Sequence, residues 1–593
     1  MYAYGLIGNC QASALVSERG SIDWLCLPRP DSPPILGSIL DPNGGQFSIS
    51  LIGTDRESAT YRQSYIENTN ILVTEVTASD GSAFRITDFC PRFEQHGRMY
   101  RPLAVFRIVE PLKGAPLIRV SCKPVNGWTK HFVKPIRVNS HVRFEMADDA
   151  LRLTTTMPLT YLLESSSFPL KEKLYFGLTW SYSIDEDLEQ LAQHLLGKTR
   201  DYWRTWVKHC SIPSLFQEET IRAALTLKLH CYEETGAILA ALTTSLPEDR
   251  ESNRNWDYRF CWLRDAYFVL SAFHNLGHFE EMEGFLKFLL SIGFERESSK
   301  DRLCPVYTLD RDVPLPERVH ADWTGYCGSK PVRSNNQAAE HIQNDVYGEL
   351  ILALAPIFFD RRFSYLRVRE HEELLEHLAS LAARSISVPD AGLWEFRNGW
   401  REHSFTNLMS WAGLERIERI QRQGYLAQLK INVTEEKERA QKHIEAAVVE
   451  GILRNGPEDN SLDTSLALLP VLRFPNPALS KATVEQFQRS LILDDGTKSF
   501  FYRYIREDDF GTPRAAFVVC SFWMAQAFAH LGERDRAQKI IEGALTSSNR
   551  LGLLPEHFDP TLKIQLGNFP QAYSHVGLIN AAFAVSPRWD EIL

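Results

Sequence analysis

The chain has 593 residues, 44% of them hydrophobic and 24% charged, a composition of globular proteins and too long for one ordinary core. A net charge of -10 and a pI near 6.0 set nucleic acid aside as a partner. No run approaches ~18 uninterrupted apolar residues, so no membrane partner is expected.

The first segment, Met1-Tyr2-Ala3-Tyr4-Gly5, lacks the basic start and apolar core of a signal peptide. The ten cysteines are scattered, with no CxxC pair. Both features fit reduced thiols in a cytoplasmic protein better than a disulfide frame or a zinc site.

The N-terminal third reads as β. Ala12 to Val16 and Ser21 to Leu27 flank a Ser17-Glu18-Arg19-Gly20 turn. Ile71 to Ala78 and Ser82 to Phe89 flank Asp80-Gly81, a strong hairpin signal. Leu103 to Val109 and Leu117 to Cys122 flank Lys113-Gly114, and Val138 to Glu145 and Ala150 to Thr156 flank Asp148-Asp149. Leu174 to Tyr182 closes the series. Antiparallel strands at this spacing imply a β-sandwich over residues 1–184.

The pattern changes at Asp185. Leu188, Leu191, Leu195, Leu196, Trp203 and Trp206 recur at helical spacing, so a linker helix is expected within 185–211, with both tryptophans buried at a domain junction. Residues 212–593 then carry twelve helical patterns: 217–234, 263–276, 278–293, 338–357, 369–384, 403–420, 434–452, 462–472, 480–490, 515–531, 533–546 and 571–585. No fixed period marks a solenoid. Long loops at 294–337, 385–402, 491–514 and 547–570 are of the kind that usually carry function. In a toroid of six helical hairpins, alternate loops gather at one end and form a pocket there.

Asn255 to Asp265 packs Trp256, Tyr258, Phe260 and Trp262 beside Asp257, Arg259, Arg264 and Asp265. Aromatic faces stack on flat apolar ligand surfaces, and Arg-Asp pairs grip hydroxyls. Taken alone, the pair reads more simply as a buried ion pair at a helix start. Two loop carboxylates change the weighting. Glu395 follows Trp394, and apolar neighbours favour a protonated acid. Its simpler reading is a surface glutamate paired with Arg397. Glu556 follows Leu553-Leu554-Pro555, and its simpler reading is a helix-flanking charge. Two such carboxylates with an Arg-Asp grip are the equipment for hydrolysing a glycosidic bond. His341, His403, His557 and His575 form no metal pattern, and no phosphate-binding Gly-rich loop occurs, so no metal or cofactor is expected.

At these residues the chain resembles glycoside hydrolase family 15, the glucoamylase and trehalase family. The match runs through Tyr4 to Cys10, Gly20 to Cys26, Asn255 to Asp265, Gln343 to Glu349, Gly392 to Glu395, Cys520 to Trp523, Leu553 to Glu556 and Gly567 to Ala572. The resemblance implies an N-terminal β-sandwich, a linker helix and a C-terminal (α/α)6 barrel. It also implies hydrolysis by single displacement with inversion, with Glu395 as general acid and Glu556 as general base. Arg264 and Asp265 match the grip on the terminal glucose, Tyr258, Trp262, Leu393 and Trp394 match residues lining that subsite, and Arg503 matches a further arginine.

Asn9, Thr406-Asn407 and Gly511-Thr512-Pro513-Arg514 depart from the family pattern, which bears on substrate preference. The expected substrate is a small oligosaccharide: first short α-glucans such as malto-oligosaccharides, cut from the non-reducing end, with trehalose second. A catalytically silent sugar-binding or regulatory protein on the same scaffold is the alternative of another class.

Overall fold

The computed structural model describes residues 1–53, 58–250, 253–294, 302–493 and 496–593. Two antiparallel sheets form the N-terminal part. In the first, Tyr4–Gly8, Ser13–Ser17, Ile22–Cys26, Gln46–Leu51, Leu117–Lys123 and Ser167–Pro169 lie side by side, with Pro34–Leu36 paired to Ile22–Cys26. In the second the order is Pro135–Arg137, His141–Glu145, Ala150–Thr155, Leu174–Trp180, Ala104–Lys113, Ala83–Phe89, Leu72–Thr77 and Thr60–Tyr65. Alternate residues of Gln46–Leu51 and Leu72–Thr77 are buried, the period-two pattern of a sheet with one face on the core.

Asp80-Gly81 turns the hairpin as expected: Gly81 takes φ 79° and the Asp80 carboxylate accepts the Ser82 N–H. Lys113-Gly114 does something else. The strands on either side of it belong to different sheets, so this turn carries the chain from one layer of the sandwich to the other.

The Leu188–Lys208 helix follows, capped by the Asp187 side chain on Gln190 N. Its Leu188, Ala192 and Leu195 pack on Phe106 and Tyr175 of the second sheet. Trp203 is buried under the Arg92 guanidinium, and the buried Trp206 stacks on His278 of the helical part at 4.2 Å. One helix face thus touches the sandwich and its end touches the barrel.

Beyond it, six inner segments close a ring: Leu263–Leu276, Asp345–Leu354, Ser404–Gln421, 464–472, Val518–His530 and Ala572–Val585. Six outer helices surround them: Gln217–Lys228, Glu280–Phe294, Arg369–Ser385, Val433–Ala446, Pro477–Ser490 and Arg534–Ala544. This is an (α/α)6 barrel. The inner helix Asp345–Leu354 is buried on every side, whereas Arg369–Ser385 buries one stripe and exposes its charges.

Helix ends fall where the chain chemistry puts them. The patterns read over 338–357 and 462–472 are each broken, with short helices restarting at Pro356 and just before Pro470. Proline cannot donate to the preceding turn but suits the first turn of a helix. Among the described residues, no helix is long and apolar enough to cross a membrane.

Candidate active site

The site lies where the chain enters the inner helices. Trp262, Arg264 and Asp265 stand at the start of Leu263–Leu276. Glu395 is in the loop before Ser404–Gln421, Arg503 in the loop before Val518–His530, and Glu556 in the loop before Ala572–Val585. Each loop leads from an outer helix to an inner one, so the ring places them at one end. The structure brings Tyr258, Trp262, Arg264, Asp265, Leu393, Trp394, Glu395, Arg503 and Glu556 to one chamber of about 440 Å³.

Glu395 sits on a strained backbone, at φ 62°, just after Gly392 at φ 64°. Glu395 N donates to Gly392 O and Phe396 N to Ala391 O, which fixes the turn. Side chain Oε1 accepts the Trp262 indole N–H at 2.6 Å and Arg264 Nη1 at 3.2 Å. The surroundings of Glu395 are therefore more polar than its sequence neighbours imply. Arg397, its alternative partner, bonds Glu317 instead, at 2.9 Å.

Arg264 holds the floor together. It donates from Nε to Asp265 at 3.0 Å and from Nη1 to Leu393 O at 2.7 Å. Burial pushes the Asp265 carboxyl up to about 6, against the pull of Arg264. Beneath, Asp345 and Glu349 are fully buried, and the carboxylate oxygens of Glu349 meet no hydrogen-bond partner among the described residues. Burial also drives Asp390 up to about 8, with Asp345 adding like charge.

Glu556 is buried, with Oε2 accepting Asn568 N at 2.9 Å. Desolvation, and then the charge of Glu248, raise its proton affinity well above that of an ordinary glutamate. The next residue, His557, stacks on Phe517 at 4.6 Å and is held neutral by burial, with Arg503 and Arg254 adding to the effect.

Sequence reasoning missed part of the wall. Gln571 and Tyr573 close the chamber at the head of the last inner helix, and Phe517 at the head of the one before. Tyr573 stands one residue past the Gly567 to Ala572 motif, which was the available signal.

A second chamber of about 500 Å³ opens from the first, sharing Tyr258, Trp394, Glu395 and Arg503 with it. Its outer wall is Arg254, Trp256, Arg397, Asp509 and Phe510. Phe510 packs edge-on to Trp256 at 4.9 Å, and Arg397 lies over both rings. Asp509 accepts from Arg397 N at 2.7 Å and Asn398 Nδ2 at 3.1 Å, and Arg254 pairs with Asp508 and donates to Gly511 O. Three loops are thereby stitched into one rim.

The three departures from the family pattern fall in different places. Asn9 bonds Pro91 O and Pro102 O within the sandwich. Thr406 bonds Asp390, and Asn407 bonds Glu402, both behind the Glu395 loop. Gly511 alone touches the second chamber's wall, through Arg254.

Among the described residues, two groups could hold a cation by proximity. The ligating atoms of Glu248, Glu556 and His557 lie within 4.8 Å of one another, as do those of His278, Glu280 and Glu281. Glu281 is already bonded to Lys228 Nζ at 2.6 Å.

Residues 216–547 match the profile of Glycosyl hydrolases family 15, and residues 3–158 match Trehalase-like, N-terminal. The chain belongs to glycosyl hydrolases family 15. It is a glycoside hydrolase. Among its relatives, the Trehalase of Thermoplasma volcanium is 30% identical, over 100% of this chain and 93% of that one. The Trehalase of Mycolicibacterium smegmatis is 29% identical, over 98% and 90%. A bacterial glucoamylase complexed with acarbose superposes with a TM-score of 0.69 at 13% identity, over 98% of this chain and 94% of that one. That likeness shows the sandwich-plus-barrel fold across the whole family member.

Proposed function

We propose that this enzyme is a trehalase that cleaves trehalose into two glucoses with inversion. The observation that carries the reading is the pair of adjoining pockets under one stitched rim, which share Glu395 in their walls as two neighbouring sugar subsites would. The name Trehalase, borne by relatives that match nearly the full length of the chain, supports it. Short malto-oligosaccharides, the first expectation from the sequence, share the grip of Arg264 and Asp265 on a terminal glucose. A chain of several glucoses needs an open second chamber, and the rim contacts of Asp509, Arg397 and Phe510 work against one.

In this reading Glu395 protonates the glycosidic oxygen while Glu556 takes a proton from a water on the opposite face of the sugar. Asn568 N–H orients the Glu556 carboxylate through Oε2, leaving Oε1 to face the water. Burial makes Glu556 a stronger base than an exposed glutamate. Tyr258, Trp262, Leu393 and Trp394 line the first sugar's chamber, and Arg503 stands between the two chambers. Residues 1–184 serve as sandwich, 185–211 as linker helix and 212–593 as catalytic barrel. A reducing, cytoplasmic compartment suits ten cysteines without a disulfide.

A substrate panel at matched concentrations tests the reading. The kcat/KM on trehalose is expected to exceed that on maltotriose by about tenfold or more, ~1.4 kcal/mol of transition-state preference. The reverse order would return the enzyme to the malto-oligosaccharide reading.

A further inference from the structure

Glu248 is a third carboxylate at this centre, and the mechanism above does not use it. It is 4% exposed and lines the second chamber. Its backbone is fixed from both sides: Glu248 N donates to Arg254 O at 3.0 Å, and Gly567 N, in the loop after the base, donates to Pro247 O at 2.6 Å. Its carboxylate lies within 4.8 Å of that of Glu556.

The groups facing it are known. Tyr258 Oη donates to Oε1 at 3.4 Å, the one hydrogen bond reaching this carboxylate among the described residues. Arg503 stands 3.7 Å from Oε2, and Arg254 and His557 each 4.0 Å. Glu395, Glu556 and Asp508 are the negative neighbours.

Those cation distances are longer than the ~2.7–2.9 Å of a charge-assisted hydrogen bond. Both arginines also lean on Asp508. An ionised carboxylate has about four acceptor sites, and leaving most of them unfilled in a buried place is costly. The unfilled capacity of Glu248 opens on the chamber where the leaving sugar would sit.

We propose that Glu248 is a substrate-binding, specificity-determining carboxylate that accepts hydroxyl hydrogen bonds from the leaving sugar. The inference rests on the two-chamber reading above and adds the contact that recognises the second glucose. It also sets one consequence for the base. A negative Glu248 beside Glu556 favours the protonated form of the base, so removing the charge makes the base ionise at lower pH.

The test compares the disaccharide with α-glucosyl fluoride, whose leaving group is fluoride and carries no hydroxyls. Wild type, Glu248→Gln and Glu248→Asp are first checked for native thermal melts. In Glu248→Gln, kcat/KM is expected to fall by a factor about 10- to 100-fold larger on the disaccharide than on the fluoride. Glu248→Asp should recover part of that difference. On the fluoride, the acidic limb of kcat/KM should move to lower pH in Glu248→Gln.

Equal losses on both substrates, or no loss on either, would overturn the proposal. If Glu248→Gln does not fold, the ratio in Glu248→Asp decides: a change above about threefold supports it, and an unchanged ratio refutes it. If wild type prefers maltose to trehalose, the trehalase reading falls, and maltose then serves as the disaccharide in the same comparison.

Discussion

The indole N–H of Trp262 donates to Glu395 Oε1 at 2.6 Å, joining a residue at the head of one inner helix to a loop that leads into another. Arg264 donates to the same oxygen, so in the proposed mechanism the bond sets which side of the carboxyl would meet the glycosidic oxygen. Trp262→Phe keeps the ring's bulk and removes the donor. A hydrogen bond to a charged group contributes about 1.5–3 kcal/mol, so kcat/KM should drop by about 10- to 100-fold. Steady-state kinetics on a variant with a native circular dichroism spectrum checks this.

On the opposite side, Gly567 leaves room for Glu556. The residue takes φ 74°, and a Cβ there would stand 2.5 Å from Glu556 Oε2. Gly567→Ala is therefore expected to cost about 1–3 kcal/mol of stability and to displace Glu556, the proposed base. The loss should fall mainly on kcat, because the proposed grip of Arg264 and Asp265 on the sugar is left in place. A lowered melting temperature together with near-normal glucose binding would agree.

Much of this was legible in the chain because the signals are local. The apolar spacing after Trp262 marks the helix at 263–276, and the loops holding Glu395 and Glu556 stand out between helical patterns. Glu248 was not legible: it sits in a polar, aperiodic stretch, and its meaning comes from Gly567 and Tyr258 across the fold. The second chamber was hidden for the same reason, since Trp256, Arg397 and Phe510 come from three loops. Strands such as Gln46–Leu51 were missed because Gln46, Ser48 and Ser50 dilute their apolar pattern.

Stability should carry the mark of the buried acids under the sugar chamber. Asp345 titrates at about 6 in the folded chain, pushed up by burial and opposed by Arg264. An unfolded aspartate titrates near ~3.9. A raised folded value means the native state holds its proton longer, so stability is lost as pH rises from about 4 to about 6. Asp345→Asn should flatten that slope and raise the melting temperature at pH 7, with little change at pH 4. The gain is on the order of 3 kcal/mol. Melting curves across this range check the sign.

The linker helix gives a prediction away from the chemistry. Trp203 and Trp206 meet the sandwich side and the barrel side of the junction. Replacing both by Ser removes two buried aromatic side chains, at about 3–5 kcal/mol each for full truncation. Melting should become less cooperative, while KM for the native fraction stays near that of the wild type. A proportional rise in KM would instead show that the site depends on the junction.

The central claim is single displacement by water across Glu395 and Glu556. It is tested most directly by following the anomers of glucose by proton NMR in the first minutes of trehalose hydrolysis. Inversion turns the attacked α-glucosyl unit into β-glucose and releases the other as α-glucose. The account predicts equal amounts of the two anomers before mutarotation mixes them; α-glucose alone would contradict it.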